Sequence, residues 1–182
     1  MVLQPTMYVI GRFYGRWYAA AAMNVMTALF HHNVWANRRL LDACESLTDA
    51  QLDATVAGTA GTIRDTLKHL VGAEERYVDA LRGEYGKSPA RESQPWPGVP
   101  VLRDALAASG QALIELSQAT EDGAIVRGVR RGEPFEMPAW HFFVQSINHA
   151  TEHRSHVATI LTQQGIEPPS FDSWTYLQEG AP

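Results

Sequence analysis

Histidines at helical spacing are the residues of this chain best suited to chemistry. The segment 147–165, INHATEHRSHVATILTQQG, carries His149, His153 and His156 between aliphatic residues. Two imidazoles four residues apart lie on one face of a helix and can bind one divalent cation, with each ring nitrogen about 2 Å from the ion. His149 and His156 are separated by about 10 Å along a helix axis, which is too far for a shared ion. The spacing therefore allows two pairs, 149/153 or 153/156.

The histidine stripe borders the predicted core of the protein. At about 100° per residue, the three histidines share one stripe, and Ala150, Val157 and Leu161 lie next to it on the core side. Polar residues such as Glu152 and Ser155 fall on the opposite side. A single histidine in such a position is usually a hydrogen-bonded residue at the edge of a core. A metal site requires a further ligand from another helix.

His69, in TIRDTLKHLVGAEERYV, is the best candidate for that third ligand. It lies beside the apolar stripe of its helix, on a face of small residues that allows close helix approach or leaves room for a pocket. Three protein ligands with one open position are typical of catalytic zinc sites, whereas structural sites usually have four. The remaining histidines, His31, His32 and His141, lie off the inward stripes, and we expect them at the surface or at loop edges.

Four amphipathic helical segments would position these histidines. The apolar periodicity predicts helices over residues 27–46, 102–117 and 138–164, the last with Gly165 as its stop. A further helix is predicted to begin after Thr62, which with Asp65 fits a capping box. SPARESQPWPGVP predicts a long loop, and AIVRGV and EPFEM allow a short hairpin before the last helix. The pattern predicts an all-α four-helix bundle, a fold that builds sites from side chains on facing helices.

Composition indicates one globular domain. The chain has 182 residues, is 45% hydrophobic and 19% charged, and has a net charge of -5, which gives no electrostatic reason to expect a nucleic-acid partner. The single cysteine, Cys44, excludes an internal disulfide and suggests a reducing compartment. No stretch reaches the roughly 20 apolar residues of a membrane span. We therefore expect a cytoplasmic protein that contacts neither nucleic acid nor membrane.

The N-terminal segment differs from the rest of the chain. It mixes apolar residues with Arg12 and Arg16, which does not match the uninterrupted apolar core of a secretory signal. We interpret residues 1–22 as an extension, and residues 23–182 as the domain. Met23 and Met26 precede the first convincing helix. The alternative is therefore that the natural chain starts at one of these methionines and that the upstream start codon was assigned in error.

Three polar residues are predicted to point inward: Asn37, Glu74 and Arg154. Buried charges require partners, and we expect a direct Glu74–Arg154 contact that orients the helix of His153. The alternative is that either side chain reaches the surface at an edge. Metal-bound imidazoles usually donate their other N–H to an acceptor, and Glu74, Asn33 and Asn37 are candidates for this role.

Three segments in order, HHNVWANRRLLDACESLTDAQL, TIRDTLKHLVGAEERYVDAL and INHATEHRSHVATILTQQGIEPPSFD, resemble the DinB/YfiT-like superfamily of metal-binding four-helix bundles. The resemblance covers about residues 26–178. It implies a zinc or nickel ion bound by His69, His149 and His153, and so it selects between the two pairs. Family members commonly have glutamine at the position of His156 and often histidine at that of Gln145, and we expect both residues in the pocket near the site.

The resemblance also implies a reaction class. Characterised members use a low-molecular-weight thiol such as mycothiol or bacillithiol, in S-transfer or maleylpyruvate isomerisation. We therefore expect a metal-dependent S-transferase, or a related isomerase or hydrolase, that acts on a small molecule as a homodimer. The alternative is a non-catalytic, metal-binding dimer in small-molecule sensing or stress response. The sequence contains no H-E-x-x-H motif, no pair of Glu-x-x-His motifs and no glycine-rich phosphate loop.

Overall fold

The computed structural model describes residues 24–88, 90–130 and 132–179, and the predicted extension 1–22 lies outside them. The described part is mostly helical. Its four long helices are α1 (Val25–Cys44), α3 (Ile63–Leu81), α4 (Val99–Ala119) and α5 (Ala139–Gln163). Two short helices, α2 (Asp49–Leu52) and α6 (Ser173–Glu179), and a 3-10 turn (Arg91–Ser93) lie in the connections.

Local sequence signals set the ends of the long helices. The side chain of Asn24 accepts a hydrogen bond from the backbone N–H of Thr27, and Thr62 accepts one from that of Asp65, as its capping motif predicts. The third predicted helix, α4, begins three residues earlier than expected. Pro100 lies in its first turn, where the missing N–H removes no helical hydrogen bond.

The long helices pack pairwise in a ring. Both α1 and α3 pack against α4 and α5. Their buried residues form two apolar clusters, one that includes Leu40 and Leu67 and another that includes Phe30 and Leu113. On α1, α3 and α4, buried polar residues lie between the two clusters in sequence: Asn33, Asn37, Glu74 and Ser109. On α5 the buried Arg154 bonds to Asn33 and Asn37. The core is therefore divided by a polar layer.

A two-stranded antiparallel sheet precedes α5, so the protein is helical with a small sheet rather than all-α. Strand β1 (Ile125–Arg130) pairs with β2 (Glu133–Pro138), at the two extended pieces that the sequence suggests, and Gly128 lies opposite Phe135. A Cβ atom at residue 128 would lie 2.9 Å from the Phe135 ring. Glycine therefore lets this ring lie across β1, with the Tyr85 ring 5.1 Å away between centroids.

The C-terminal segment packs against α1. The ring centroids of Trp35 and Tyr176 are 5.2 Å apart, and the Arg39 guanidinium forms an ion pair with Glu179. His32 Nε2 lies 2.8 Å from the carbonyl oxygen of Phe171. The aromatic tail thus folds back on the helices. None of the helices in the described ranges has the length and apolar character needed to span a membrane.

Candidate metal centre

Helices α3 and α5 bring three imidazoles together. His69 lies on α3, and His149 and His153 lie one turn apart on α5. The Nε2 atoms of His149 and His69 are 3.1 Å apart, and those of His153 and His149 are 3.0 Å apart. One nitrogen from each ring lies within 4.8 Å of the other two. We call these three residues the histidine cluster.

The spacing of the cluster suits a single ion. Two nitrogens bound tetrahedrally at about 2 Å from one zinc are about 3.3 Å apart, close to the separations observed. His156 is not a member of the cluster, although its ring centroid lies 5.6 Å from that of His153. The cluster could therefore hold a divalent metal ion, with the 149/153 pair from α5.

Burial keeps the α5 imidazoles uncharged. Desolvation, with the neighbouring imidazoles His153 and His69, lowers the pKa of His149 to about 3. Desolvation also lowers the pKa of His153. Both rings are therefore neutral at physiological pH, which is the form that ligates a metal.

A carboxylate that the sequence analysis did not identify contacts the cluster. Glu92 Oε1 lies 2.8 Å from Nδ1 of His69, and Arg76 donates two hydrogen bonds to the same carboxylate at 2.7 and 3.1 Å. Desolvation opposes ionisation of Glu92, but the hydrogen bonds from Arg76 and His69 outweigh it and lower its pKa to about 2. Since an ionised carboxylate only accepts, Nδ1 of His69 donates to Glu92, and Nε2 is the ring nitrogen that faces the cluster.

Hydrogen bonds from α3 hold the loop that carries Glu92 against this helix. Lys68 Nζ donates to the carbonyl oxygens of Glu92 and Gln94, at 3.1 and 2.6 Å. A Cβ atom at Gly72 would lie 3.2 Å from Glu92 Oε2, so the missing side chain lets the loop approach the helix closely. Sequence periodicity predicts only a loop here, which explains why Glu92 was missed.

The predicted inward polar residues form a buried network. Arg154 Nη1 donates to the Oδ1 atoms of Asn33 and Asn37, at 2.6 and 2.7 Å. The amide nitrogens of both asparagines donate to Glu74 Oε2 at 3.2 Å, and Ser109 Oγ donates to Glu74 Oε1 at 2.6 Å. Burial raises the pKa of Glu74 to about 7 and lowers that of Arg154 to about 10.

The expected direct contact between Glu74 and Arg154 is wrong. Asn33 and Asn37, one turn apart on α1, fill the space between the two charged groups, with each amide oxygen toward Arg154 and each nitrogen toward Glu74. The acceptor for a ring N–H of the cluster is Glu92. Asn33 and Asn37 bond to Glu74 on one side and to Arg154 on the other, so their amides serve the buried network and not the imidazoles. The network links α1, α3, α4 and α5 beside the cluster.

A cavity of about 300 Å³ reaches the histidine cluster. It lies between α3, α5 and the hairpin, and Gln145 lies in its wall. His156 is half-buried beside His153 and is absent from this wall. The residues that line the cavity are His69, Ala73, Arg76, Tyr77, Tyr85, Arg130, Phe135, Met137, His141, Phe142, Gln145 and His149.

Comparison with known proteins gives a family and a fold. The sequence profile of the DinB family matches residues 23–181. The structure is similar to the crystal structure of a DinB-like protein from Bacillus cereus ATCC 10987, with a TM-score of 0.61 and 21% sequence identity over 80% of this chain and 94% of that chain. At this identity the likeness concerns the fold alone. No curated protein matches the chain.

Proposed function

The chain belongs to the DinB family, and on this premise we propose that it is a divalent-metal-dependent enzyme whose zinc or nickel ion is bound by His69, His149 and His153 in a four-helix bundle of the DinB type. The convergence of three Nε2 atoms from two helices carries the proposal. The three donors are imidazole nitrogens, which suit both metals.

A catalytic site is favoured over a structural one by the number of ligands and by access. The cluster supplies three protein ligands, where structural zinc normally has four. The His69 side chain is 42% exposed, and the cavity reaches both His69 and His149. A metal with an open position lowers the pKa of a bound water or thiol toward neutrality. This chemistry suits a thiol S-transferase that uses mycothiol or bacillithiol, or a related isomerase or hydrolase.

The surrounding residues position the ligands and shape the cavity. Glu92 accepts a hydrogen bond from Nδ1 of His69, which favours one orientation and one tautomer of this ring. Arg154, next to His153 in sequence, is fixed by the asparagines of α1, which ties the ligand-bearing turn of α5 to the rest of the core. Phe135, Met137 and Phe142 give the cavity apolar walls that limit the access of water.

Metal content tests the site. Elemental analysis of the full chain should give about one zinc or nickel per wild-type molecule, and substoichiometric metal in His149→Ala and in His153→Ala. His156→Ala is the matched control, because this histidine lies on the same helix outside the cluster, and it should retain the metal. Stoichiometric metal in both of the first two variants, with folding verified by circular dichroism, would exclude the proposed ligands.

Thiol consumption tests the reaction. The metal-loaded protein is incubated with mycothiol, bacillithiol or glutathione and a panel of electrophiles, and loss of free thiol is followed. We expect consumption with at least one pair, lost in His149→Ala. Consumption that persists in this variant would contradict metal dependence. No consumption with any pair would contradict the transferase assignment and favour a hydrolase or the non-catalytic, dimeric sensor.

A further inference from the structure

The cavity beside the histidine cluster is positively charged in an acidic protein. The chain has a net charge of -5, yet none of the described residues that line the cavity is an aspartate or glutamate, and Arg76 and Arg130 both line it. A concave site lined by one sign of charge concentrates ligands of the opposite sign. The charged side chains of the cavity wall therefore favour an anionic ligand over a cationic one.

The two arginines differ in how their charge is compensated. The Arg76 guanidinium is bonded through two nitrogens to Glu92. Arg130 forms no ion pair with any residue in the described part of the chain, whereas Arg127 of the same strand pairs with Glu136 at 2.7 Å. Among the lining residues that the structure describes, Arg130 is thus the arginine that remains available to a ligand.

The remaining walls are suited to an apolar body. Phe135, Met137 and Phe142 line the cavity, and the Phe135 ring is held across Gly128 and against Tyr85. A volume of about 300 Å³ is at the lower end of the range for small-molecule sites. The occupant is therefore small and carries an apolar, preferably aromatic, portion.

We propose that this cavity binds a small organic anion, a carboxylate or a phosphate monoester with an apolar body. Its anionic group lies at Arg130, its apolar portion packs against Phe135, Met137 and Phe142, and its far end faces His69 and His149. The inference rests on the proposed function, because it names the substrate class of the same site. Arg130 is the residue that determines the specificity for an anion.

Binding of matched probes tests the charge requirement. Phenylacetate, phenyl phosphate and the neutral 2-phenylacetamide are titrated by calorimetry into the full chain, both zinc-loaded and chelator-treated. We expect at least one anion to bind roughly tenfold more tightly than the amide, more weakly as salt increases. The preference should persist after chelation, because Arg130 and not the metal holds the anionic group. The better of the two anions identifies the head group.

Two arginines of one strand supply the matched variants. Arg130→Gln should raise the dissociation constant of the anion roughly tenfold and leave that of the amide unchanged. Arg127→Gln removes a cation of the same strand that does not line the cavity, and should leave both constants within about twofold. Equal binding of anion and amide, equal effects of the two variants, or no binding of any probe would overturn the inference.

Metal content of the same samples separates this inference from the proposed function. Stoichiometric zinc with no binding of either anion overturns the substrate class and leaves the metal site standing. Anion binding to a protein that takes up no zinc supports the anion site and contradicts the metal-dependent function.

Discussion

Glu74 of α3 and Arg154 of α5 share the same two partners, the amide groups of Asn33 and Asn37 on α1. The amide oxygen of each asparagine accepts from Arg154, and its amide nitrogen donates to Glu74. Both charged groups are therefore hydrogen-bonded although they do not contact each other. The network lies between two apolar clusters. A shift of any of these helices by one turn would separate a buried charged group from its hydrogen-bond partners, so the network favours one alignment of the helices.

Loss of the Arg154 guanidinium should destabilise the fold. Arg154→Met leaves the two asparagine oxygens without a donor and Glu74 without a nearby cation. We expect the free energy of unfolding to fall by about 3 kcal/mol, measured by urea denaturation with circular dichroism. Arg38→Met, at an exposed position of α1, is the control and should change it by less than about 0.5 kcal/mol. Equal losses in both variants would show that the network adds no stability.

The pH dependence of stability should report Glu74. Burial raises the pKa of this carboxyl from 4.5 to about 7, so the folded protein keeps a proton that the unfolded chain releases. The resulting stabilisation is fully present below about pH 4.5 and is lost as the pH rises to about 7. The free energy of unfolding of the wild type should therefore fall by about 3 kcal/mol relative to Glu74→Gln over this window.

Measuring this difference removes the contribution of the histidines. The lowered pKa values of His149 and His153 act in the opposite direction, because they reduce stability as the pH falls. That contribution is common to the wild type and Glu74→Gln and cancels in the difference. A difference that does not change with pH would contradict a raised pKa for Glu74.

The contact between Glu92 and His69 should affect metal affinity. Glu92→Gln replaces an ionised acceptor with a neutral one beside the Nδ1 proton, and loss of such a contact typically weakens metal binding about 10- to 100-fold. Competition with a chromophoric chelator measures the zinc dissociation constant. Glu84→Gln, an exposed acid paired with Lys87, is the control. Equal affinities in the two variants would remove Glu92 from the metal site.

Where α4 packs against α1, replacing a glycine with alanine should destabilise the protein, although the same change usually stabilises a helix. Within a helix this change normally stabilises by about 1 kcal/mol. A Cβ atom at Gly110 of α4, however, would lie 2.5 Å from Cγ2 of Val34 on α1, so Gly110→Ala should instead destabilise by about 1–3 kcal/mol and lower Tm. In a Val34→Ala background the loss should shrink. A higher Tm for the single variant would contradict this close contact.

The long helices could be predicted because each has an apolar stripe of helical period and a recognisable start or stop. Thr62 caps α3 as predicted, and the two extended pieces form the hairpin. The short helices α2 and α6 escaped prediction, because four and seven residues are too few to establish a period. Periodicity likewise placed the start of α4 too late, because the helix already begins at Val99 and Pro100, on the N-terminal side of the first residue of its apolar stripe.

The candidate site could be predicted only as far as helix faces define it. Facing positions on two helices place His69 near the histidines of α5, but they leave the pairs 149/153 and 153/156 open, and only the family resemblance selects the pair that the structure brings to His69. The inward direction of Glu74 and Arg154 follows from the helix faces. Helix faces do not show which hydrogen-bond partners the buried groups share, so the sequence did not predict that two asparagines lie between Glu74 and Arg154. Glu92 lies in a loop, where no period indicates the direction of a side chain.

The location of Glu92 has an evolutionary consequence. Three imidazoles sit on helices, where a shift of register would disrupt the core, but the carboxylate that bonds to His69 belongs to the connection between α3 and α4. Loops accept insertions and substitutions far more readily than helices. A substitution or insertion in this connection can therefore change the electronic properties of His69 while the helices that carry the three imidazoles stay unchanged.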